Sequence, residues 1–458
     1  MYNFYFNEVE NSYEMREMVR MFLPVSSYQI LDKDPWALES WPTSDILIRV
    51  PNGLKEKNSA KRFLYNSLSK YTGLKPDWGI MTGVRPVKLT GELIAIHHSL
   101  ETVKIILLKE YYLSETKADL LLDTWKTQQE VKMYDDNKAV GIYIGIPFCP
   151  TKCIYCSFPS YPVNTNRLRS YLEALRLEIA FVGQEIEKKG WYPESIYIGG
   201  GTPTTLSDSE LEELLKQVHE FFNLDKIKEF TVEAGRPDTI TQEKLKIISK
   251  YGVKRISINP QSMKEETLKR IGRFHKPEEI ITAFNMAREF GFSFINMDLI
   301  AGLPGENTED FIDSLQTILR LKPENITVHT LAVKRASKLK EMDMNYSFHQ
   351  GKKVRKMIDK GSPILLRAGY RPYYLYRQKQ MTGNFENVGY ALPGTESIYN
   401  IKIMEENQTI IALGAGGISK AWYPKEKRLE RIPNVSNYEI YIERIDEMIE
   451  RKRKGIFV

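Results

Sequence analysis

The stretch YIGIPFCPTKCIYCSFPSY, residues 143–161, contains all three cysteines of the chain. They are Cys149, Cys153 and Cys156, in the spacing C-x3-C-x2-C. Their odd number argues against a disulfide framework, and a structural zinc ion normally takes four ligands, whereas the stretch has no histidine. Three thiolates can each hold one iron corner of a [4Fe–4S] cluster and leave the fourth iron open. The alternative is three buried structural cysteines.

The composition is that of an ordinary globular protein. Of 458 residues, 42% are hydrophobic and 27% are charged, which predicts two or three soluble domains. The chain has no run of about 18 apolar residues, and its N-terminal stretch MYNFYFNEVE is aromatic and acidic. We therefore expect no membrane span and no secretory signal. Free thiolates that hold an oxygen-sensitive cluster suit a reducing compartment, so we expect a cytoplasmic protein.

The charge balance gives little support for a nucleic-acid partner. The chain has 65 basic and 59 acidic residues, a formal net charge of +6. The basic run RKRK, residues 451–454, stands near the C-terminus, where we expect a solvated helix end. No nucleic acid is expected as a partner, whereas a small anionic substrate needs only a few well-placed cations.

Residues 1–138 contain no cysteine and no recognisable chemical motif. Hydrophobic periodicity predicts strands near residues 2–9 and 45–50 and helices near residues 60–71 and 102–124. The basic stretch TGVRPVKL, residues 82–89, is interpreted as a turn that leads into a helix from Gly91. The charged residues 126–138 are expected to form a linker. We expect an N-terminal α+β domain of unknown role.

From residue 139 the pattern changes to alternating strands and helices. Apolar runs predict six strands, at residues 141–147, 195–199, 229–233, 254–258, 292–300 and 325–330. One intervening helix begins with the capping-box pair Ser207 and Glu210. This order predicts an α/β fold, a partial (β/α)6 barrel of parallel strands over residues 139–335. Residues 336–458 are expected to form a mostly helical or mixed C-terminal extension that covers the substrate.

Residues with reactive side chains follow these strands, where the active sites of such folds lie. GGGTPT, residues 199–204, comes after the second strand, and its glycines let a ligand approach the backbone closely. Glu233 ends the third strand, Gln261 follows the fourth, and Asp298 lies in the fifth. Carboxylates there can accept hydrogen bonds from the hydroxyl groups of a ligand, and Gln261 can both donate and accept. Each residue alone could equally be a helix cap or a solvated loop residue.

The cysteine spacing at the end of an apolar run resembles the radical S-adenosylmethionine (SAM) superfamily. In that superfamily the open iron binds the amino and carboxylate groups of SAM, and an electron from the cluster splits SAM to give a 5′-deoxyadenosyl radical. The resemblance implies a radical SAM barrel, a [4Fe–4S] cluster and one or possibly two SAM molecules. It also implies an electron donor such as flavodoxin or ferredoxin. The protein's part is to position these groups and exclude water.

The motifs together resemble one family, the oxygen-independent coproporphyrinogen III dehydrogenases. They are YIGIPFC, the cysteine loop, GGGTPT, TVEAGRPD, INPQSM, IGRFH and NMDLIAGLPGE. The branch with a long N-terminal extension also shares YYLYRQKQMTGNFENVGYALPG, residues 373–394. The positions that resemble the pocket of the cluster-bound SAM are Tyr143, Gly200, Glu233 and Ile418. Those that resemble a second SAM pocket are Tyr155, Gly201, Thr202, Gln261, Arg273, Asp298 and Ala332.

The resemblance implies a tetrapyrrole substrate. The expected reaction is oxidative decarboxylation of two propionates of coproporphyrinogen III to vinyl groups, giving protoporphyrinogen IX in haem biosynthesis. Such a substrate carries four carboxylates, for which arginine is a suitable partner. Arg377 and Lys379, among Tyr373, Tyr374 and Tyr376, are the candidate substrate cations, and an ordinary domain contact is the alternative.

One position departs from the better-studied dehydrogenases. They have a further cysteine two residues after the third, where this chain has Phe158, as the family's haem chaperones do. A haem-binding chaperone without decarboxylase activity is therefore an alternative, as is methyl transfer to a tetrapyrrole or opening of the haem ring. RNA modification is disfavoured by the modest net charge. The long extension favours the dehydrogenase by analogy.

Overall fold

The structure, a computed structural model, describes residues 1–6, 12–31, 46–51, 56–131, 136–163, 165–334, 337, 339, 346–379 and 381–457. Its strands are β1 (Tyr2–Tyr5), β2 (Tyr28–Leu31), β3 (Ile46–Arg49), β4 (Ala139–Ile146), β5 (Phe148–Cys149), β6 (Tyr161–Pro162), β7 (Tyr192–Gly200), β8 (Glu229–Glu233), β9 (Arg255–Ser257), β10 (Phe294–Ala301), β11 (Asn325–Thr330), β12 (Arg371–Tyr376), β13 (Asn387–Ala391), β14 (Ile410–Leu413), β15 (Ile418–Tyr423) and β16 (Arg428–Pro433). Its helices are α1 (Ser12–Phe22), α2 (Lys57–Thr72), α3 (Pro86–His97), α4 (Leu100–Lys109), α5 (Glu115–Glu130), α6 (Thr165–Lys188), α7 (Asp208–Phe221), α8 (Gln242–Lys250), α9 (Glu265–Arg270), α10 (Pro277–Glu289), α11 (Thr308–Leu321), α12 (Tyr346–His349), α13 (Gly351–Arg367), α14 (Ile398–Glu405), α15 (Tyr438–Glu443) and α16 (Ile445–Gly455).

The N-terminal part has a small sheet with its own core. Strands β2 and β3 both pair in parallel with the central strand β1. Phe4, Met18 and Leu64 are buried in this core, which β1, α1 and α2 share. The strands predicted near residues 2–9 and 45–50 are present, and residues 7–9 and 45 lie outside the described residues. Strand β2 was not predicted, because its YQIL sequence is too short for a clear period.

The six strands predicted from the apolar runs form the centre of a large sheet. They pair in the order β4-β7-β8-β9-β10-β11, and all of them are parallel. Strands β8 and β11 have the predicted bounds. The predicted capping box is formed, since the Glu210 backbone N–H donates to Ser207 Oγ (3.3 Å) and the Ser207 N–H donates to the Glu210 carboxylate (2.9 Å). The described strands form an open sheet, as a partial barrel requires.

The C-terminal segment extends this sheet at both edges. The antiparallel hairpin β12–β13 joins the β11 edge. At the other edge, β14 runs parallel to β4, and β15 and β16 continue the sheet in antiparallel order. Helix α14 packs against both β7 and β12, so it connects the two halves of the sheet from one face. The mixed composition expected for this segment agrees with the structure, and its role as a substrate cover stays a prediction.

Helices α3 to α5 of the N-terminal part pack on the large sheet. Val103, Leu107 and Leu121 belong to the same hydrophobic core as the barrel strands. Trp78 Nε1 donates a hydrogen bond to the Glu386 carboxylate (2.8 Å), in the segment that leads into β13. The first 138 residues therefore contribute to two cores, and the boundary near residue 138 stays a prediction.

Three local predictions in this N-terminal part differ from the structure. The helix predicted over residues 102–124 is two helices, α4 and α5, because the chain turns at Tyr112 in a left-handed conformation (φ 59°). Helix α3 begins at Pro86 and not near Gly91, since the fixed φ of proline suits the first helical position. The expected linker is helical as far as Glu130. None of the described helices is long and apolar enough to cross a membrane.

Lys452 in helix α16 is fully buried, although it lies in the basic run that we expected to be solvated. Its ammonium is 2.6 Å from the carboxylate of Glu178 in helix α6, and it donates to the Asn434 side chain (2.7 Å). Glu178 also accepts from the backbone N–H of Gly414 (2.7 Å). The prediction is wrong for Lys452 because helical periodicity turns it toward α6, while Lys454 remains 76% exposed.

Replacing Lys452 with methionine should lower the free energy of unfolding by about 3–5 kcal/mol, because Glu178 then stays buried without its counter-charge. The matched control is the exposed Lys454→Met, which should change it by less than about 0.5 kcal/mol. Urea unfolding followed by circular dichroism measures both variants. Equal losses in the two variants would contradict a stabilising role for the buried pair.

Candidate active site

The cysteine loop begins where strand β4 ends, at the carboxyl edge of the sheet. The loop is closed by the short pair β5 and β6, which run in parallel. It is fastened to the glycine turn after β7, because the Gly201 and Thr202 N–H groups donate to the carbonyls of Ile146 and Phe148, both at 2.8 Å. Cys149 Sγ lies 3.4 Å from the Thr202 hydroxyl. The fold therefore places the first cysteine, Cys149, directly beside the glycine turn.

The three thiols lie close enough to influence one another. Burial raises the pKa of Cys149 and of Cys156, and the neighbouring thiol of Cys153 raises both further. Thiolates gathered in this way need a positive charge, which bound iron supplies. Among the described residues, no three or more His, Cys, Asp or Glu side chains are grouped so that they could hold one metal ion. A cubane distributes its thiolates over separate iron atoms, so the loop fits a cluster better than a lone metal ion.

A cavity of about 590 Å³ lies beside the cysteine loop. Cys156 lines it, together with residues from the carboxyl ends of the barrel strands. All of the positions for which the resemblance implied SAM binding line this one cavity: Tyr143, Tyr155, Gly200, Gly201, Thr202, Glu233, Gln261, Arg273, Asp298, Ala332 and Ile418. The structure brings them together, and their contact with SAM stays a prediction.

Glu233 is held at the glycine turn by two hydrogen bonds. The Tyr197 hydroxyl donates to one carboxylate oxygen (2.5 Å), and the Gly200 N–H donates to the other (3.2 Å). Gly200 has φ of 108°, and a Cβ there would lie 3.0 Å from the Tyr143 hydroxyl, so glycine is needed. Burial raises the pKa of Glu233 to about 7, and the nearby Asp298 adds to the shift.

Asp298 also lines the cavity, but its neighbours favour the charged form of its carboxyl. Its carboxylate accepts a hydrogen bond from Asn296 Nδ2 (2.8 Å) and lies 3.5 Å from His329 Nε2. Burial opposes its charge, but the hydrogen bonds from His329, Asn296 and Thr327 outweigh burial and lower the pKa of Asp298. The cavity therefore holds one carboxyl that titrates near neutral pH and one that stays ionised.

Two residues that line the cavity each have a buried side-chain atom without a hydrogen-bond partner among the described residues. The atoms are the side-chain oxygen of Gln261 and Nε of Arg273. Gln261 is also held in a left-handed conformation (φ 66°) by the N–H bond that it donates to the Asp298 carbonyl. An unsatisfied buried polar group costs free energy unless a ligand completes it. These atoms fit the amino, carboxylate and hydroxyl groups of SAM.

Arg377 and Lys379 lie elsewhere than the sequence analysis expected. Neither is among the described residues that line the cavity. Arg377 is buried, stacks 4.7 Å over the ring of Trp78 and donates to the backbone carbonyl of Met81. Lys379 lies 3.9 Å over the ring of Tyr13. Both cations contact the N-terminal part, whereas Gln378 between them lines the cavity.

The cavity also contains residues that sequence reasoning missed. Tyr197 and Tyr399 stack with ring centroids 4.7 Å apart, and Lys334 and Lys420 add positive charge to the wall. Two signals could have found the lysines. Lys334 follows closely after β11, at the edge where site residues were expected, and Lys420 stands two positions after Ile418 on one strand and so shares its face.

Replacing Cys153 with alanine should remove the cluster iron and abolish SAM cleavage, because the loop then supplies too few thiolates for three corners of the cubane. Ser157→Ala, in the same loop, is the control and should keep its iron. Iron content and visible absorption of anaerobically reconstituted protein measure both. Normal iron in Cys153→Ala would contradict the cluster assignment.

The raised pKa of Glu233 predicts a pH-dependent stability difference between the wild type and Glu233→Gln. The contribution of the protonated Glu233 carboxyl to the free energy of unfolding is fully present below pH 4.5, the ordinary pKa of a glutamate. It is lost as the pH rises through about 7, the raised pKa of Glu233. The wild type should therefore lose stability relative to the variant over that window. Urea unfolding across the window measures it, with the exposed Glu220→Gln as control, and a pH-independent difference would contradict the assignment.

Three comparisons place the chain among known proteins. Residues 143–318 match the radical SAM superfamily. The oxygen-independent coproporphyrinogen-III oxidase-like protein HemZ of Bacillus subtilis is 43% identical over 403 residues, which cover 87% of this chain and 80% of that protein. The heme chaperone HemW of the same organism is 40% identical over 196 residues, 42% of this chain and half of the chaperone's length.

A solved structure shows the same fold. The coproporphyrinogen III oxidase HemN from Escherichia coli matches with a TM-score of 0.54 and 23% identity, over 70% of this chain and 72% of that one. The radical SAM match extends over the cysteine loop and over the cavity residues as far as Asp298, and the 43% identity extends over 87% of the chain. The chain therefore belongs to the oxygen-independent coproporphyrinogen III dehydrogenase family of radical SAM proteins, whose cofactors are a [4Fe–4S] cluster and SAM.

Proposed function

We propose that this protein is a radical SAM oxidoreductase that decarboxylates two propionates of coproporphyrinogen III to vinyl groups, giving protoporphyrinogen IX. The observation that carries the proposal is the 43% identity to the coproporphyrinogen-III oxidase-like protein, because that similarity extends over 87% of the chain. The similarity to the Bacillus subtilis chaperone extends over 42%. The N-terminal extension thus favours the first relative.

The cavity supports a substrate larger than SAM. Its lining includes Tyr374, Tyr376 and Tyr399, whose aromatic rings can contact a flat macrocycle. Tyr374 and Tyr376 stack with centroids 6.3 Å apart. The aromatic part of the sequence motif that begins at Tyr373 therefore faces the cavity, while its cations face the N-terminal part.

The cluster and SAM, when bound, supply a radical that removes a hydrogen atom from the substrate. The chain's own residues hold and shield the reactants. Cys149, Cys153 and Cys156 would hold the cluster, and Glu233 and Asp298 present carboxylate oxygens to hydroxyl donors. The surrounding tyrosines exclude water from the reacting groups. Each propionate becomes a vinyl group by losing one hydrogen atom to the radical, CO2, and one electron to an external electron acceptor. Flavodoxin or ferredoxin is proposed as the electron donor for SAM cleavage.

A haem chaperone is the second candidate. Phe158 supports it, because the family's chaperones share phenylalanine at this position, and several relatives are named heme chaperones. Phe158 is 62% exposed and lines the cavity. A chaperone would bind haem with the same apolar surfaces and would transfer it without turnover.

Anaerobically reconstituted protein, incubated with coproporphyrinogen III, SAM and a reductant, should form protoporphyrinogen IX. Product analysis by chromatography measures the vinyl product together with 5′-deoxyadenosine, and Cys153→Ala is the inactive control. 5′-Deoxyadenosine without any vinyl product would exclude this substrate. Stoichiometric haem binding and transfer to an apo-haemoprotein, without turnover, would select the chaperone.

A further inference from the structure

The cations that line the cavity differ in whether they already have a partner. His329 lies 3.5 Å from the Asp298 carboxylate, and Lys420 lies 3.0 Å from the Glu406 carboxylate. Arg273 uses one nitrogen on the carbonyl of Gly235 (3.2 Å). The ammonium group of Lys334 has no carboxylate or hydrogen-bond partner in the part of the chain that the structure describes.

The backbone around Lys334 is held in place. The Leu331 N–H donates to the Ala301 carbonyl (3.0 Å), and Leu331 accepts from the Thr382 N–H (2.9 Å). On its other side, the N–H and hydroxyl of Ser337 both donate to the Lys334 carbonyl, at 3.0 and 2.8 Å. Lys334 therefore lies in a part of the cavity wall whose described neighbours are joined by hydrogen bonds.

Lys334 stands near the cluster end of the cavity. Burial lowers the pKa of Lys334, and the nearby Cys156 thiol opposes that shift. A half-buried ammonium group without a partner is costly, and a bound anionic group would compensate for the cost. The wall of the cavity thus favours a ligand with a negative charge at this point.

The apolar rim of the cavity indicates which ligand carries that charge. Phe158 and Ile418 both line the cavity, yet they are 62% and 49% exposed. Large apolar side chains exposed at a concave site mark a surface that a ligand covers. SAM offers one carboxylate and the small flat face of its adenine, whereas the tetrapyrrole offers four carboxylates around a wider apolar ring.

We infer that Lys334 binds a propionate carboxylate of the tetrapyrrole, whose ring lies against Phe158. This inference rests on the proposed tetrapyrrole function and assigns a specificity role that the sequence motifs did not reveal. Lys334 thus takes the place of Arg377 and Lys379, which contact the N-terminal part, as the proposed substrate-binding cation. The carboxylate of SAM has the same chemistry, and the experiment distinguishes the two sources.

The test uses the full chain, anaerobically reconstituted, with coproporphyrin III and its tetramethyl ester as fluorescent probes. Lys334→Gln should raise the dissociation constant of coproporphyrin III about tenfold, because one charge-assisted hydrogen bond is lost. The dissociation constant of the ester should stay unchanged. Lys334→Arg should restore most of the affinity. Lys379→Gln, an exposed lysine outside the cavity, is the matched control, and SAM affinity should stay unchanged in all three variants.

Each other outcome overturns a defined part of the interpretation. Weaker SAM binding in Lys334→Gln, with unchanged porphyrin binding, would assign the carboxylate to SAM. Equal porphyrin binding by Lys334→Gln and the wild type would exclude the anchor while leaving the proposed function intact. A wild type that binds neither porphyrin would exclude the tetrapyrrole function, and this inference with it.

Discussion

The carbonyl oxygens of Ile146 and Phe148 accept hydrogen bonds from the backbone of Gly201 and Thr202, and the site depends on this junction. A Cβ at Gly201 would lie 2.5 Å from the Phe148 carbonyl oxygen, so a side chain there would separate the two strand ends. Because the junction forms, Cys149 lies beside Thr202, and the cluster loop shares a cavity with the glycine turn. This contact brings the first cysteine beside the glycine turn that is predicted to bind SAM.

The two carboxyl groups of the cavity, Glu233 and Asp298, have pKa values that are shifted in opposite directions. Glu233 is buried with a tyrosine hydroxyl and an amide as donors, so its proton is released near neutral pH. Asp298 is equally enclosed but has His329 and Asn296 around it and keeps its charge. Both can accept from hydroxyl donors, and the difference lies in the neighbours and not in the residue type.

The N-terminal extension supports the cavity from outside, at both edges of the sheet. Trp78 and Lys117 bind the carboxylate of Glu386, in the segment that precedes β13. At the opposite edge, Arg85 pairs with Glu406, the buried carboxylate that also binds the cavity residue Lys420. The extension therefore contacts segments on two sides of the cavity, while its own small core remains separate.

The sequence alone predicted the cysteine loop, the six parallel strands and the polar residues Glu233, Gln261 and Asp298, because cysteine spacing, apolar runs and strand ends are local patterns. The other cavity residues from Tyr143 to Ile418 were predicted from the family resemblance and not from a local pattern. Only the tertiary structure decided the surroundings of Arg377, Lys452 and Lys334. Their roles depend on which distant segment packs against each side chain, namely Trp78 on Arg377 and Glu178 on Lys452. Whether a charged side chain is exposed to solvent or paired depends on the distant residues that pack against it in the folded chain. No local sequence pattern contains that information.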